Sequence, residues 1–195
     1  MIRRRRLLLT WPLLLLAGCE PQAPAFQATD LTGKNIGGDF NLTDSRGQLQ
    51  KLANFRGKVV ILFFGYTSCP DICPSALAKF ASLLQQPGLS AEQLQVIFIS
   101  LDPERDTPQR LAEYVPWFDP SFIGLTGDAS TIAALANQFR VTSIKKAVPG
   151  GMSYVLDHSA GAYVFGKDGR LRLYLGENAK IDDIASDLRR LLSEQ

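Results

Sequence analysis

Cys69 and Cys73, four residues apart in Cys69-Pro70-Asp71-Ile72-Cys73-Pro74, are the residues of this chain best equipped for chemistry. One further cysteine, Cys19, and a single histidine, His158, complete the set of thiols and imidazoles in 195 residues. Two thiols and one imidazole supply a full soft-donor set for one copper ion. Thiolates favour Cu(I), and an added imidazole makes a trigonal site that also holds Cu(II). The same two thiols form a redox couple. Zinc in a structural site takes four protein ligands, and no fourth soft donor is evident. Dithiol oxidoreductases mostly carry two residues between their cysteines. Three residues relax the ring a disulfide would close and leave room for an ion between the sulfurs. A purely structural staple is disfavoured, because closing so short a loop restricts the unfolded chain little. The spacing alone leaves metal binding and redox chemistry both open.

Local sequence says how these groups are presented. Pro74 suits the first turn of a helix and disfavours helical φ/ψ at the residue before it. Cys73 is therefore predicted at the N-cap, with Cys69 in the preceding loop. The positive end of that helix favours thiolate, the form that attacks disulfides and the form that binds metal. His158, in Tyr154-Val155-Leu156-Asp157-His158-Ser159-Ala160, reads by itself as a polar loop histidine satisfied by backbone. Its place just before a predicted hairpin makes it a candidate third ligand, since that segment faces the cysteine loop in thioredoxin-like folds and usually carries a cis-proline there. Asp157 is a candidate acceptor to orient the ring. Asp102, at the end of a core strand beside the site, is a candidate to shape the pocket, paired with Arg105. Met152 is a soft donor whose packing role is favoured over ligation. Thr67-Ser68-Cys69 does not match the Thr and Arg support that a peroxidatic cysteine needs.

The elements that must hold these residues follow from hydrophobic pattern. Residues 58–65 and 94–101 are continuous apolar runs, as central strands buried on both faces require. Between them, residues 75–86 carry apolar positions at helical spacing and stop at Pro87-Gly88. Strand, helix, strand is a βαβ unit with a right-handed crossover. Asp106 or Thr107 caps a second helix, which Pro108 opens at its first position. A short strand is expected over 121–125 and a helix over 130–139. A hairpin follows across Lys167-Asp168-Gly169, joining 162–165 to 171–175, and an amphipathic helix spans 181–192. An earlier hairpin is expected across Asp44-Ser45-Arg46-Gly47. This order predicts an α/β, thioredoxin-like fold: a central mixed sheet flanked by helices, with an added N-terminal hairpin. The cysteines follow a central strand, where open α/β sheets place their sites.

The N-terminus reads as an export signal. Arg3 to Arg6 is a positive n-region, Leu7 to Leu16 an apolar run too short to span a bilayer, and Leu16-Ala17-Gly18-Cys19 closes it. Cleavage before Cys19 removes four arginines and moves the formal charge from +2 to −2, with 17 basic residues left against 19 acidic ones. No basic surplus remains to recommend nucleic acid. The division expected is 1–18 signal peptide, 19–38 a lipidated Cys19 with a flexible tether, and 39–195 one domain with one core.

Cys69-Pro70-Asp71-Ile72-Cys73-Pro74 is similar to the C-P-x-x-C-P motif of the SCO/SenC family of copper chaperones. Asp102-Pro103-Glu104-Arg105-Asp106-Thr107-Pro108 is similar to that family's D-P-x-R-D-T-P run, and Asp157-His158-Ser159 to its D-H-S/T motif. Leu16-Ala17-Gly18-Cys19 resembles the lipobox of bacterial lipoproteins. The first resemblance implies a thioredoxin-like fold and copper held as Cu(I) or Cu(II) by Cys69, Cys73 and His158. It also implies a part in building the Cu(A) centre of cytochrome c oxidase subunit II, by delivering copper or by keeping that subunit's cysteines reduced. The lipobox implies acylation of Cys19 and a lipoprotein facing the periplasm, with the inner membrane favoured. The partners expected are subunit II or another exported copper client and the membrane, with the protein itself a monomer. The rival reading is a periplasmic thiol–disulfide oxidoreductase acting on exported proteins. An inert scaffold does not account for three reactive donors in motif contexts.

Overall fold

The computed structural model describes residues 25–148 and 154–194. In chain order the elements are β1 (Thr29–Asp30), β2 (Leu42–Asp44), β3 (Leu49–Gln50), β4 (Val59–Gly65), α1 (Ile72–Leu83), β5 (Leu94–Ser100), α2 (Pro108–Tyr114), β6 (Ile123–Thr126), α3 (Ala129–Gln138), β7 (Ser143–Ala147), β8 (Tyr154–His158), β9 (Ala162–Phe165), β10 (Leu171–Leu175) and α4 (Ile181–Ser193). Eight strands form one mixed sheet in the order β1-β10-β9-β4-β5-β6-β2-β3. β4, β5 and β6 run parallel, with Val59 opposite Leu94 and Ile97 opposite Ile123. β9 returns antiparallel to β4, and β2 antiparallel to β6.

Every residue of β4 and β5 is buried, as their unbroken apolar runs require. Alternation along β4 divides its aromatics between the two faces. Phe63 meets Phe80 of α1 and Phe98, which in turn meets Tyr114 of α2. Phe64 meets Phe139, just past α3, and Tyr163. Helix α4 packs beside α1 and buries Ile184, Leu188 and Leu191. The expected mixed sheet with flanking helices and an N-terminal β2–β3 hairpin is the fold observed.

Three expectations need correction. Helix α1 starts at Ile72, so Cys73 is its second residue and Asp71 stands at the N-cap. Proline needs no partner for a missing N–H in the first turn, so Pro74 sits at the third helical position instead of the first. The tether expected over 19–38 does not extend that far. Phe26, Ala28, Leu31 and Ile36 pack on the core, and β1 adds to the sheet edge with Thr29 opposite Tyr174. Buried Asp187 of α4 accepts hydrogen bonds from the backbone N–H of Gln27 (3.0 Å) and Ala28 (2.8 Å), which fixes the segment's start. A Pro- and Gly-rich composition concealed four well-spaced apolar residues. Third, His158 is not in a loop: it ends β8, which pairs only with β7 in a separate two-stranded ribbon, Ser143 opposite His158. Cys19 and Met152 lie outside the described residues.

Candidate metal centre

The chain leaves β4 at Gly65 and turns so that Cys69 N–H bonds the carbonyl of Tyr66 at 3.2 Å. Asp106, fully buried, pins this turn. Its carboxylate accepts from Thr67 N–H (2.9 Å), Thr67 Oγ1 (2.6 Å) and Ser100 Oγ (2.6 Å). A buried carboxylate with three donors is satisfied, and it locks the cysteine loop to the end of β5. Thr107 caps α2 by accepting from Arg110 N–H, so Asp106 is free for this task. Gly65 completes the seat: a Cβ there would lie 2.8 Å from Cys73 Sγ. Neither Asp106 nor Gly65 stood out in the sequence as more than a cap and a strand end. An acid placed directly ahead of a self-sufficient Thr-Pro cap was the available signal.

The thiols are unlike one another. Cys73 is fully buried beneath the sheet end, whereas Cys69 is half-buried at the surface, and both are free. Cys73 N–H points to Cys69 Sγ at 3.4 Å. The Cys69 thiol is lowered to about 4, first because the Cys73 side chain bonds its thiolate, and then because the backbone N–H groups of Asp71 and Cys73 do the same. The Cys73 thiol is pushed far up, chiefly by holding the proton shared with Cys69 and further by burial. The pair therefore carries one thiolate and one thiol, and the exposed sulfur bears the charge.

His158 arrives from β8. Its Nε2 lies 3.4 Å from Cys73 Sγ, and its Nδ1 lies 2.9 Å from the carbonyl of Ser159. A carbonyl only accepts, so Nδ1 carries the proton and the Nε2 lone pair faces the sulfurs, the tautomer a ligand needs. The ring packs edge-on to Tyr66 and Phe63, at 5.7 and 6.5 Å between centroids. Cys69, Cys73 and His158 bring their ligand atoms within 4.8 Å of one another. Two sulfurs and a properly protonated imidazole at that separation fit a soft metal ion, and copper in either common oxidation state. They open into a mainly apolar recess of about 320 Å³ walled by Tyr66, Pro70, Ile72 and Val155.

Asp157, the acid expected to orient the ring, does not touch it. Its carboxylate turns outward to Lys146 Nζ at 2.5 Å, because alternation along β8 places Asp157 on the solvent side. Ser159 carbonyl takes the orienting role. Asp102 is almost fully buried and bonds the Arg105 guanidinium and the Tyr154 hydroxyl (2.6 Å). Arg105 also donates to the Tyr154 carbonyl at 2.9 Å and lies over its ring at 3.8 Å. The expected Asp102–Arg105 pair thus exists, and it fastens the start of the strand that ends at His158. Among the described residues no helix is long and apolar enough to cross a membrane.

Sheet order and site together define a thioredoxin-like domain with a Cys-Cys-His centre suited to a soft metal. The SCO1/SenC family model matches residues 28–193. The bovine (Bos taurus) mitochondrial SCO2 homolog is 40% identical over 157 residues, covering 78% of this chain and 58% of the relative, so the chain spans little over half of that protein's length. ScoI of Bradyrhizobium japonicum with copper bound is 39% identical, has a TM-score of 0.73, and is matched over 80% of this chain and 99% of that one. BsSco, a member of the Sco family of cytochrome c oxidase assembly proteins, is 25% identical with a TM-score of 0.65, over 86% and 99% of the two chains. The chain belongs to the SCO1/SenC family.

Proposed function

We propose that this protein is a membrane-anchored copper chaperone, with Cys69, Cys73 and His158 as ligands, that supplies copper to the Cu(A) site of cytochrome c oxidase subunit II or prepares that site's thiols. The observation that carries this reading is the convergence of two sulfurs and a correctly protonated imidazole beside an open recess. Copper is cargo here. Half-exposed Cys69 is the ligand a client thiolate reaches first, while buried Cys73 holds on until the second exchange. Oxidation of the pair to a disulfide removes both sulfur ligands, so loading depends on redox state. The anchor is the lipid on Cys19, in an exported chain facing the periplasm.

The test is copper retained per chain by the reduced protein, kept anaerobic, beside His158→Ala. Both forms are offered Cu(I) and Cu(II), with thiolate-to-copper charge-transfer absorption followed for Cu(II). About one copper per chain is expected, with the Cu(II) band lost and Cu(I) kept in the variant. A reduced wild type that retains no copper would overturn the proposal. That result favours the second reading, a thiol–disulfide oxidoreductase, which the contrast between a charged outer and a protonated inner cysteine also suits.

A further inference from the structure

Because residues 26–38 belong to the fold, the lipid read onto Cys19 is joined to it by a short leash. From Cys19 to Phe26 is seven peptide steps, at most about 25 Å when fully extended. A domain of this size has a radius of gyration of about 15 Å. Its leash is thus shorter than the domain is wide, so the domain is confined close to the bilayer. The structure indicates which face meets it.

Phe26 lies beneath the guanidinium groups of Arg190 (4.1 Å) and Arg172 (5.6 Å), and Arg172 Nε donates to Thr32 Oγ1 at 3.1 Å. Immediately beyond, a cleft of about 590 Å³ opens between residues 33–39, the turn at 52–56 and the β9–β10 turn. Lys34, Arg56 and Arg170 stand on its three walls, all exposed. Lys34 and Arg56 make no ion pair among the described residues, and Arg170 meets only Asp168, at 3.6 Å with both side chains largely in solvent. Asp39, the acid on the wall, is engaged by the N–H groups of Phe40 (2.9 Å) and Leu52 (3.0 Å). The cleft lies where β4 begins, since Gly57 N–H bonds the Lys167 carbonyl. The cysteines lie where β4 ends, about 23 Å away along seven strand residues.

We propose that this cleft seats the headgroups of anionic phospholipids and holds the leashed domain on the bilayer with its metal end turned away toward clients. The inference rests on the lipid-anchor reading above. With a formal charge of −2 on the processed chain, only a local gathering of cations lets the domain approach an anionic surface. Lys34, Arg56 and Arg170 are that gathering, next to where the leash joins.

The full lipidated chain, with Asn35→benzoylphenylalanine, is placed in vesicles of phosphatidylcholine or of equal parts phosphatidylcholine and phosphatidylglycerol, and lipid adducts are counted after illumination. Lys146→benzoylphenylalanine, at the metal end, serves as the comparison. Adducts at position 35 should rise about fivefold with phosphatidylglycerol and fall back in high salt or with Lys34→Glu plus Arg56→Glu. Copper retained by the charge-reversed chain reports that it is folded. Adducts at 35 that ignore lipid charge and the reversals, or that do not exceed those at 146, overturn the proposal. So does competition by inorganic phosphate at matched ionic strength, which marks a small-anion site instead. Acylation is read separately from the mass of the N-terminal peptide. An unmodified Cys19 defeats the anchor reading, whereas charge-dependent adducts at 35 would still support the cleft.

Discussion

The two thiols and the imidazole reach the same point by unlike routes. Cys69 and Cys73 are carried by a loop and helix rooted in the sheet, with Gly65, Asp106 and the Phe63–Phe80–Phe98 cluster around them. His158 is carried by a ribbon outside the main sheet, every residue of whose outer strand, β7, is exposed. The ribbon is fastened by polar contacts: Asp102 and Arg105 at Tyr154, Lys145 to Glu104 (2.8 Å), and Ser159 N–H to the Thr142 carbonyl (3.1 Å). Core packing thus sets the sulfur pair, whereas buried Leu156 and a handful of hydrogen bonds set the imidazole. Binding that needs only thiolates should be robust to changes in the ribbon, and binding that needs imidazole should not.

The largest effects belong to the sulfur side. Cys69→Ser or Cys73→Ser should reduce retained copper from about one per chain to near none in either oxidation state, because hydroxyl is a poor soft-metal ligand. Retention of Cu(I) by either variant would mean that the ribbon supplies more than one donor. The metal-free pair should also alkylate unequally. Thiolate is the reacting form, so Cys69, lowered to about 4, should react with iodoacetamide at a nearly constant rate from pH 8 down to 5 and slow only as pH falls through 4. An ordinary thiol slows about tenfold per pH unit below its pKa of ~8.5. Cys73, buried and raised, should stay unmodified until the protein unfolds. Equal labelling of both cysteines, read by peptide mass, would erase the distinction between them.

On the ribbon side the sharpest change is Arg105→Ala. It leaves the nearly inaccessible Asp102 carboxylate without its cation and removes the donor to the Tyr154 carbonyl. Breaking a buried pair in this way costs about 3 kcal/mol, seen as a lower denaturation midpoint. Loosening an outer support of a ligand typically costs about 10–100-fold in metal affinity. That loss should fall on Cu(II), with Cu(I) little changed. Arg105→Lys should recover only part of it, since one ammonium cannot bond both the carboxylate and the carbonyl in the guanidinium's planar fork. Equal losses for the two oxidation states would show that ribbon and helix respond as one unit.

The sequence was legible where burial imposes a period. The runs at 58–65 and 94–101, the Thr107-Pro108 cap and the Lys167–Gly169 turn each carry a pattern with one physical solution, and they place the fold and the two cysteines. It was opaque where structure depends on polar contacts over long separations. β7, Ser-Ile-Lys-Lys-Ala, has no apolar alternation because neither face is covered, so the ribbon that delivers His158 left no period to read. The docking of residues 26–38 depends on Asp187, some 160 positions away, and nothing near either partner announces it. Asp106 was readable only as a cap, and its bond to Thr67 spans 39 residues.

The smallest expected effect tests the ribbon most finely. Asp157 adjoins the ligand in sequence, yet its carboxylate meets Lys146 in solvent with both side chains more than half exposed. Solvent screening leaves such a pair little weight in stability. Asp157→Ala should therefore leave the denaturation midpoint nearly unchanged and Cu(II) affinity within about twofold, since the Nδ1 proton is held by the Ser159 carbonyl, which no side-chain change removes. A loss of about tenfold or more in Cu(II) affinity would mean that the ring turns on loading and takes Asp157 as its acceptor. In that event the ribbon must move when metal binds, and the backbone hydrogen bond at Ser159 holds only the metal-free position of His158.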